Sequence, residues 1–276
     1  MTKKKTKKVK VQKKVLYLTV GASVLMCCLV GAIVALCINA LGTNQYKIEN
    51  RVSEIKKEKK KDENGIKTVG WLRVQGTNID TPIINYETLE DIDNINKDDF
   101  LWSVNEQEKL YNRVNIQGHN ILNLSTRPSV GLEYFTKFED LMGFIYYDFV
   151  KENKYIQYTI DGKNYMYKVF AVYFEEKYNL DLYHEGNYEV NEIKDFIDLS
   201  KKTSFYDFDV DVKENDKLIA LVTCSRFYGV NDKRQFVVVG RMLRDGEEVE
   251  NYEVIETKNY KEIKAKLKGD EEDVEA

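Results

Sequence analysis

Residues 218–227 have the sequence LIALVTCSRF, in which an apolar run ends at a cysteine and polar residues follow at once. An apolar run of this length, rich in branched side chains, predicts a buried β-strand. Cys224 stands where the run stops, so the pattern places its thiol at the rim of a sheet. Two interpretations follow, a small buried core residue, which is the commoner role of a free cysteine, or a nucleophile.

The residues that follow Cys224 favour a reactive thiol. A polar loop containing Arg226, Lys233 and Arg234 separates the cysteine from a second β-branched run, QFVVVGRML at 235–243. Cations near a thiol favour the thiolate, which is the form that attacks carbonyl carbons. A long arginine with planar donors suits contact with substrate carbonyls better than lysine does, which favours Arg234 over Lys233.

A thiol-dependent site needs a nucleophile, a group that carries protons and a donor for the developing oxyanion. The nucleophile is Cys224, because the other three of the four cysteines lie in the apolar segment 15–41. The chain has only two histidines, His119 in the turn-like IQGHN and His184 in a polar loop. The donor is Arg226, Arg234 or a backbone N–H group. Two histidines and scattered acids give no cluster of metal ligands, so we expect neither metal nor cofactor.

The N-terminal part of the chain predicts a membrane anchor. Residues 1–14 contain eight lysines and no acid, and residues 15–41 are 27 residues without a charge. About 20 apolar residues span a bilayer, and the preceding lysines predict a cytoplasmic N-terminus. The segment does not resemble a cleaved signal peptide, which has a shorter apolar core and a small-x-small cleavage site. It does not resemble a lipoprotein signal either, because such a signal has a small residue before the cysteine, whereas Leu36 precedes Cys37. We therefore expect one transmembrane helix and an extracellular remainder.

The rest of the chain divides by composition. Residues 42–67 are charged, with apolar residues at helical spacing, and predict a helical linker. Residues 68–244 alternate with period two apart from a helical segment at 188–203, and predict one β-rich domain. Residues 245–276 are mostly charged and predict a frayed helix with a disordered acidic end. The net charge of −4 gives no reason to propose nucleic acid as a partner.

Four motifs resemble those of the sortases, the membrane-anchored cysteine transpeptidases of Gram-positive bacteria. ALVTC at 220–224 is similar to the family's TLxTC motif, with Ala220 in place of the usual threonine. Arg234 is similar to the arginine that begins the family's last strand, and NIQGHN at 115–120 to its histidine loop. VGWLRVQGTNIDTPII at 69–84 resembles the run that forms the family's first two strands. The resemblance covers about residues 68–243 in the family's order.

The resemblance implies a fold and a subclass. Sortases are mainly β proteins with a closed eight-stranded β-barrel. The helical segment before the first strand, the ten-residue spacing from Cys224 to Arg234 and the helix at 188–203 resemble class B, which carries a helix in the connection between strands six and seven. The charged tail after Arg244 extends beyond the usual ending of the family.

The resemblance also implies an activity. Cys224 is expected to attack the threonine carbonyl of a C-terminal sorting signal similar to NPxT followed by Gly or Asn. His119 is expected to act as general acid and base, and Arg234 to hold the substrate and stabilise the oxyanion. The expected partners are secreted proteins with such a signal and the amine of a peptidoglycan precursor such as lipid II. The alternatives are a pilin-polymerising sortase with a lysine acceptor and an anchored barrel that binds a partner without catalysis.

Overall fold

The computed structural model describes residues 68–87, 101–106, 109–120, 138–176, 180–225, 227–229 and 231–275, without the side chains of 269–275. The predicted basic tail, transmembrane helix and helical linker all lie outside these residues. Among the helices of the described part, none combines the length and the apolar character needed to cross a bilayer. The predicted anchor therefore stays a prediction.

The described residues contain a closed eight-stranded β-barrel, which confirms the predicted mainly β fold and its barrel. The strands in chain order are β1 Thr68–Val74, β2 Asp80–Asn85, β3 Leu101–Ser103, β4 Arg113–Gly118, β5 Tyr155–Ile160, β6 Lys163–Glu176, β7 Tyr206–Phe208, β8 Leu218–Cys224, β9 Arg234–Met242 and β10 Val254–Glu256. The barrel order is β1-β2-β3-β4-β8-β9-β6-β5, closed by pairing of β1 with β5, while β7 and β10 form a separate two-stranded sheet. The alternating runs of the sequence correspond to the longer barrel strands.

Four helical segments accompany the barrel in the described residues. They are a 3₁₀ helix at Glu139–Ile145, α1 at Tyr147–Glu152, α2 at Val190–Thr203 and α3 at Tyr260–Glu275. Helix α2 begins with a capping box, in which the Glu192 carboxylate accepts the backbone N–H of Glu189 at 2.7 Å. It lies between β6 and β8, the sixth and seventh strands of the barrel, where the sequence predicted a helix.

The C-terminal segment, residues 245–268, packs on the barrel. The sequence predicted a frayed helix and a disordered acidic end within 245–276; the structure contains the helix α3 and, before it, the strand β10, paired with β7, which the sequence did not predict. Tyr252, Tyr260 and Ile263 are all buried. The sequence carries no signal of this strand and its packing, because the few apolar residues of the segment are spread among many exposed charges and show no regular spacing.

Buried cations on the barrel fix the start of this segment. Lys168 of β6 and Arg241 of β9 are both buried. The Glu247 carboxylate forms a salt bridge with Lys168 Nζ at 2.8 Å and accepts a hydrogen bond from Arg241 Nη2 at 2.8 Å. The hydrogen bond from Arg241 is the largest cause that holds the pKa of Glu247 well below its ordinary value. Residues beyond β9 thus neutralise charges that the barrel buries.

Candidate active site

Two neighbouring strands end side by side at the site. β4 and β8 are parallel and pair from Arg113 opposite Leu218 to Gly118 opposite Thr223. The Thr223 hydroxyl donates to the carbonyl oxygen of Gly118 at 2.8 Å and ties the two strand ends together. His119 and Cys224 each come one residue later, and both line a cavity of about 600 Å³.

The glycine before His119 is required by close packing. A Cβ atom at Gly118 would lie 2.5 Å from the side chains of both Leu101 and Phe138, which is shorter than any real contact of this kind. The strand can therefore pass between these side chains only with glycine at this position. Beside it, the Trp102 ring packs on the His119 imidazole with the ring centroids 4.8 Å apart.

Arg234 begins the strand on the other side of Cys224. β8 and β9 are antiparallel, with Cys224 opposite Gln235, and Gln235 lines the cavity. The neighbouring Arg234 donates from Nε to Asp232 Oδ1 at 2.9 Å, and its guanidinium carbon lies 3.4 Å from the centre of the Tyr228 ring. Arg234 is thus next to the site in register but is not among the described residues that line the cavity, and Asp232 and Tyr228 place its guanidinium.

Asp232 organises the loop between β8 and β9. Only 2% of its side chain is exposed. It accepts hydrogen bonds from the Arg234 backbone N–H at 3.1 Å, the Tyr228 backbone N–H at 3.3 Å and the Ser225 hydroxyl at 3.2 Å. Burial alone would raise the pKa of this carboxyl, but the hydrogen bonds from Arg234 and Tyr228 outweigh it and lower the pKa. The carboxylate therefore remains ionised beside the guanidinium.

A second wall of the cavity comes from the loop before α2. Residues 180–183 line the cavity. The backbone carbonyl oxygen of Asp181 accepts three hydrogen bonds, from Arg113 Nη2 at 2.9 Å, Asn115 Nδ2 at 3.2 Å and the Tyr188 hydroxyl at 2.8 Å. Because Arg113 and Asn115 belong to β4, the wall is attached to the strand that carries His119.

Arg113 is a buried cation inside this wall. Its guanidinium carbon lies 3.6 Å from the centre of the Tyr188 ring and 4.4 Å from that of Phe196 in α2. Burial lowers the pKa of Arg113 from its ordinary value, although the nearby Tyr188 opposes this shift. The side chain therefore connects the loop, the strand and the helix in one packed unit.

The structure separates the two histidines. His119 lines the cavity with Cys224, whereas the His184 ring stacks on Tyr188 with centroids 4.1 Å apart. His184 also approaches the Asp181 carboxylate at 3.5 Å and the carbonyl oxygen of Asn187 at 3.3 Å. These contacts assign His184 to the wall. The alternative donor Arg226 lies outside the described residues.

The sequence analysis did not identify three polar residues of the cavity. Trp102, Gln117 and Gln235 line it, and each has a buried polar atom without a hydrogen-bond partner in the described part of the chain, namely Trp102 Nε1, Gln117 Nε2 and Gln235 Oε1. Alternation along β4 places Gln117 on the same face as His119, which was an available signal. Trp102 lies in β3, a strand too short for a periodic pattern.

Comparison with known proteins gives the family of this chain. The sortase domain model matches residues 72–243. A curated relative, sortase B of Staphylococcus aureus (strain NCTC 8325 / PS 47), is 24% identical over 185 residues, which cover 64% of this chain and 70% of the relative.

Two solved structures share the fold. A Staphylococcus aureus sortase B–substrate complex has a TM-score of 0.52 and 19% identity, covering 72% of this chain and 95% of that one. A sortase B complexed with triglycine has a TM-score of 0.53 and 20% identity, covering 74% and 97%. The chain belongs to the sortase family of cysteine transpeptidases, and the relatives that it resembles here are class B sortases.

Proposed function

We propose that this protein is a membrane-anchored transpeptidase that cleaves a C-terminal sorting signal similar to NPxT followed by Gly or Asn, after the threonine. It then joins the surface protein to the amine of a peptidoglycan precursor such as lipid II. The observation that carries the proposal is the pairing of β4 with β8, which brings His119 and Cys224 to one cavity.

In the first half-reaction, Cys224 Sγ, with its proton on His119, attacks the threonine carbonyl carbon as a thiolate and forms a tetrahedral oxyanion. The carbon–nitrogen bond then breaks, His119 gives a proton to the leaving amine, and a thioester with Cys224 remains. The packing of Trp102 on the imidazole fixes the plane of the acid. A group held in this way loses little further freedom when the substrate binds.

In the second half-reaction, an incoming amine attacks the thioester carbon. His119 accepts the proton of that amine, the carbon–sulfur bond breaks, and Cys224 leaves as the thiolate, so that the Cys224–His119 pair regains the one proton that it gave to the first amine. The related sortase B solved with triglycine supports an oligoglycine amine as a probe of this step. Cell-wall and pilin acceptors share this chemistry, so only the identity of the amine distinguishes the two functions.

Arg234 is assigned to the oxyanion and to the substrate carbonyls. Asp232 holds Nε, and the Nη groups at the outer end of the guanidinium are those assigned to the substrate. An arginine fork contacts two acceptors at once, which a lysine ammonium does not reproduce. Loss of one such donor lowers turnover by about 100- to 1,000-fold in enzymes that use an oxyanion hole.

The test uses the full chain in detergent with a quenched fluorescent NPQTG-type peptide, with and without triglycine. We expect Cys224→Ala and His119→Ala to abolish cleavage, and mass spectrometry of the wild type to show a thioacyl adduct on Cys224. Arg234→Ala is compared with Lys233→Ala, which removes an exposed neighbouring cation and is expected to retain wild-type activity. No cleavage and no adduct with either NPxT or LPxT peptides, in a folded protein, would overturn the proposal.

Two further tests address the acceptor and the anchor. Faster turnover with triglycine than with a lysine side-chain amine supports a cell-wall acceptor, and the reverse order supports pilin assembly. For the topology, a membrane-impermeant maleimide applied to intact cells is expected to label Cys224 in the wild type and to leave Cys224→Ala unlabelled. Labelling that requires permeabilised cells would contradict an extracellular catalytic domain.

A further inference from the structure

The C-terminal segment reaches the loop that follows the nucleophile. The sortase model ends at residue 243, so β10 and α3 are additions to the matched domain. In α3, the Glu262 carboxylate accepts a hydrogen bond from the Tyr228 hydroxyl at 3.3 Å. Lys266 Nζ lies 5.4 Å from the centre of the Phe227 ring. Two successive residues of the β8–β9 loop are therefore in contact with this helix.

An aromatic cluster joins the same helix to the same loop. Tyr260 at the start of α3 packs on Phe205, with centroids 6.3 Å apart, and Phe205 packs on Phe174 of β6 at 5.3 Å. Phe174 in turn packs on Phe227 at 5.4 Å and on Tyr228 at 5.9 Å. Aromatic pairs of this kind hold their rings in defined relative positions.

Tyr228 stands between α3 and Arg234. Its ring lies against the guanidinium at 3.4 Å, while Asp232 engages Nε of the same group. The ring fixes the plane of the guanidinium and the carboxylate fixes its rotation in that plane. The Tyr228 hydroxyl, at the far end of the ring, is hydrogen-bonded to Glu262 of α3. The helix is therefore connected to Arg234 through a single side chain, that of Tyr228.

We propose that the C-terminal segment is part of the catalytic apparatus, with Tyr228, held by Glu262, as the positioning residue for Arg234. The inference rests on the proposed function, because it assigns Tyr228 to the arginine that stabilises the oxyanion. The segment acts through Arg234 and not on the thiol. Its loss therefore slows acyl transfer to Cys224 without changing the intrinsic reactivity of the thiol.

The experiment compares two reactions of Cys224 in the full chain. One is thioacyl formation from the NPQTG-type peptide in a single turnover, and the other is modification by a small methanethiosulfonate reagent. We expect Tyr228→Leu to slow acylation by about 10-fold, since misplacement of a group that contacts the transition state costs up to about 100-fold. Tyr228→Phe and Glu262→Ala each remove one hydrogen bond at the surface, and about 2- to 3-fold is expected. Methanethiosulfonate modification is expected to stay at the wild-type rate.

A neighbouring residue and a double variant supply the controls. Lys261→Ala removes an exposed charge from the same helix turn and is expected to leave acylation unchanged. In an Arg234→Met background, the effect of Tyr228→Leu is expected to shrink below about 2-fold, because residues that act through one another are not additive. A full 10-fold effect in that background would show that Tyr228 acts elsewhere and would overturn the assignment.

The failures of the two proposals are distinguishable. A wild type that forms no thioacyl adduct refutes the proposed function. A wild type that acylates normally, with Tyr228→Leu and Glu262→Ala equal to it, refutes only the role of the C-terminal segment. A parallel loss of acylation and methanethiosulfonate reactivity would place the defect at Cys224 or in folding, and would equally refute positioning through Arg234.

Discussion

Two arginines lie next to residues that line the cavity, Arg113 bonded to Asp181 and Arg234 preceding Gln235, and each lies against a tyrosine ring, but their surroundings differ. Arg113 is only 5% exposed and donates to the backbone carbonyl oxygen of Asp181. The side chain of Arg234 is 35% exposed and is paired with the carboxylate of Asp232. The stacking distances to Tyr188 and Tyr228 are nearly equal, at 3.6 and 3.4 Å.

The difference indicates two uses of the same side chain. A guanidinium sandwiched between the Tyr188 and Phe196 rings has its faces covered and serves as a packing element of the wall. The Arg234 guanidinium lies against Tyr228 and is held at Nε, but its side chain is 35% exposed, so part of it remains accessible to a substrate. The comparison therefore predicts that Arg113 contributes to stability and Arg234 to turnover, which substitutions at the two positions can separate.

The largest expected effect on stability is that of Arg113→Ala. The substitution leaves a cavity between the Tyr188 and Phe196 rings and removes one of the three donors to Asp181. We expect a loss of about 3 kcal/mol in the free energy of unfolding, as for other large-to-small changes in packed sites. Urea unfolding followed by tryptophan fluorescence measures it, since both tryptophans, Trp71 and Trp102, belong to the barrel.

The matched variant is Arg234→Ala. We expect it to cost about 1 kcal/mol of stability, less than Arg113→Ala, while turnover falls by about 100-fold or more. The cost in stability is smaller because Asp232 loses its cation but keeps the hydrogen bonds from Tyr228 and Ser225. Arg113→Met, which refills much of the volume, should recover a large part of the lost stability. Equal destabilisation by the two alanine variants would end the distinction between a packing arginine and a substrate arginine.

The sequence predicted the placement of Cys224 and His119 better than it predicted their surroundings. Cys224 and His119 lie in motifs that end strands, and parallel pairing of these strands brings them together. Arg113 gave no signal, because an arginine at the start of a strand has the same pattern as a solvated charge. Its burial depends on Tyr188 and Phe196, which are distant in sequence. Such contacts depend on tertiary packing, which local periodicity does not encode.

The same limit applies to the fold. The long strands and α2 were predicted because each has enough residues to show a period. β3, β7 and β10 have three residues each and no period to detect. The strand β10 and the packing of the C-terminal segment were not predicted, because its few buried residues, such as Tyr252 and Tyr260, are separated by exposed charges.

A smaller effect is expected from Asp232→Asn, which keeps the shape of the side chain and removes its charge. The amide accepts at one oxygen only, so it cannot serve Arg234, Tyr228 and Ser225 as the carboxylate does. We expect kcat for peptide cleavage to fall by about 10-fold with a smaller change in KM, because the role proposed for the arginine is in the transition state. Asp195→Asn, at an exposed position of α2, is the control and should retain wild-type kcat. A change confined to KM would indicate that Asp232 acts on substrate binding alone.

The smallest expected effect is a dependence of stability on pH that belongs to Asp232. Its pKa is lower in the folded protein than its ordinary value, so the ionised form stabilises the fold. This contribution is fully present above the ordinary carboxyl pKa of about 3.9 and is lost as the pH falls through the lower pKa of the folded state. The difference in unfolding free energy between wild type and Asp232→Asn should therefore be constant at neutral pH and shrink below about pH 4. Carboxylates common to both proteins cancel in this difference. A difference that grew in acid would mean that folding raises the pKa of Asp232. The Arg234–Asp232 ion pair, which distinguishes Arg234 from Arg113, would then not stabilise the fold.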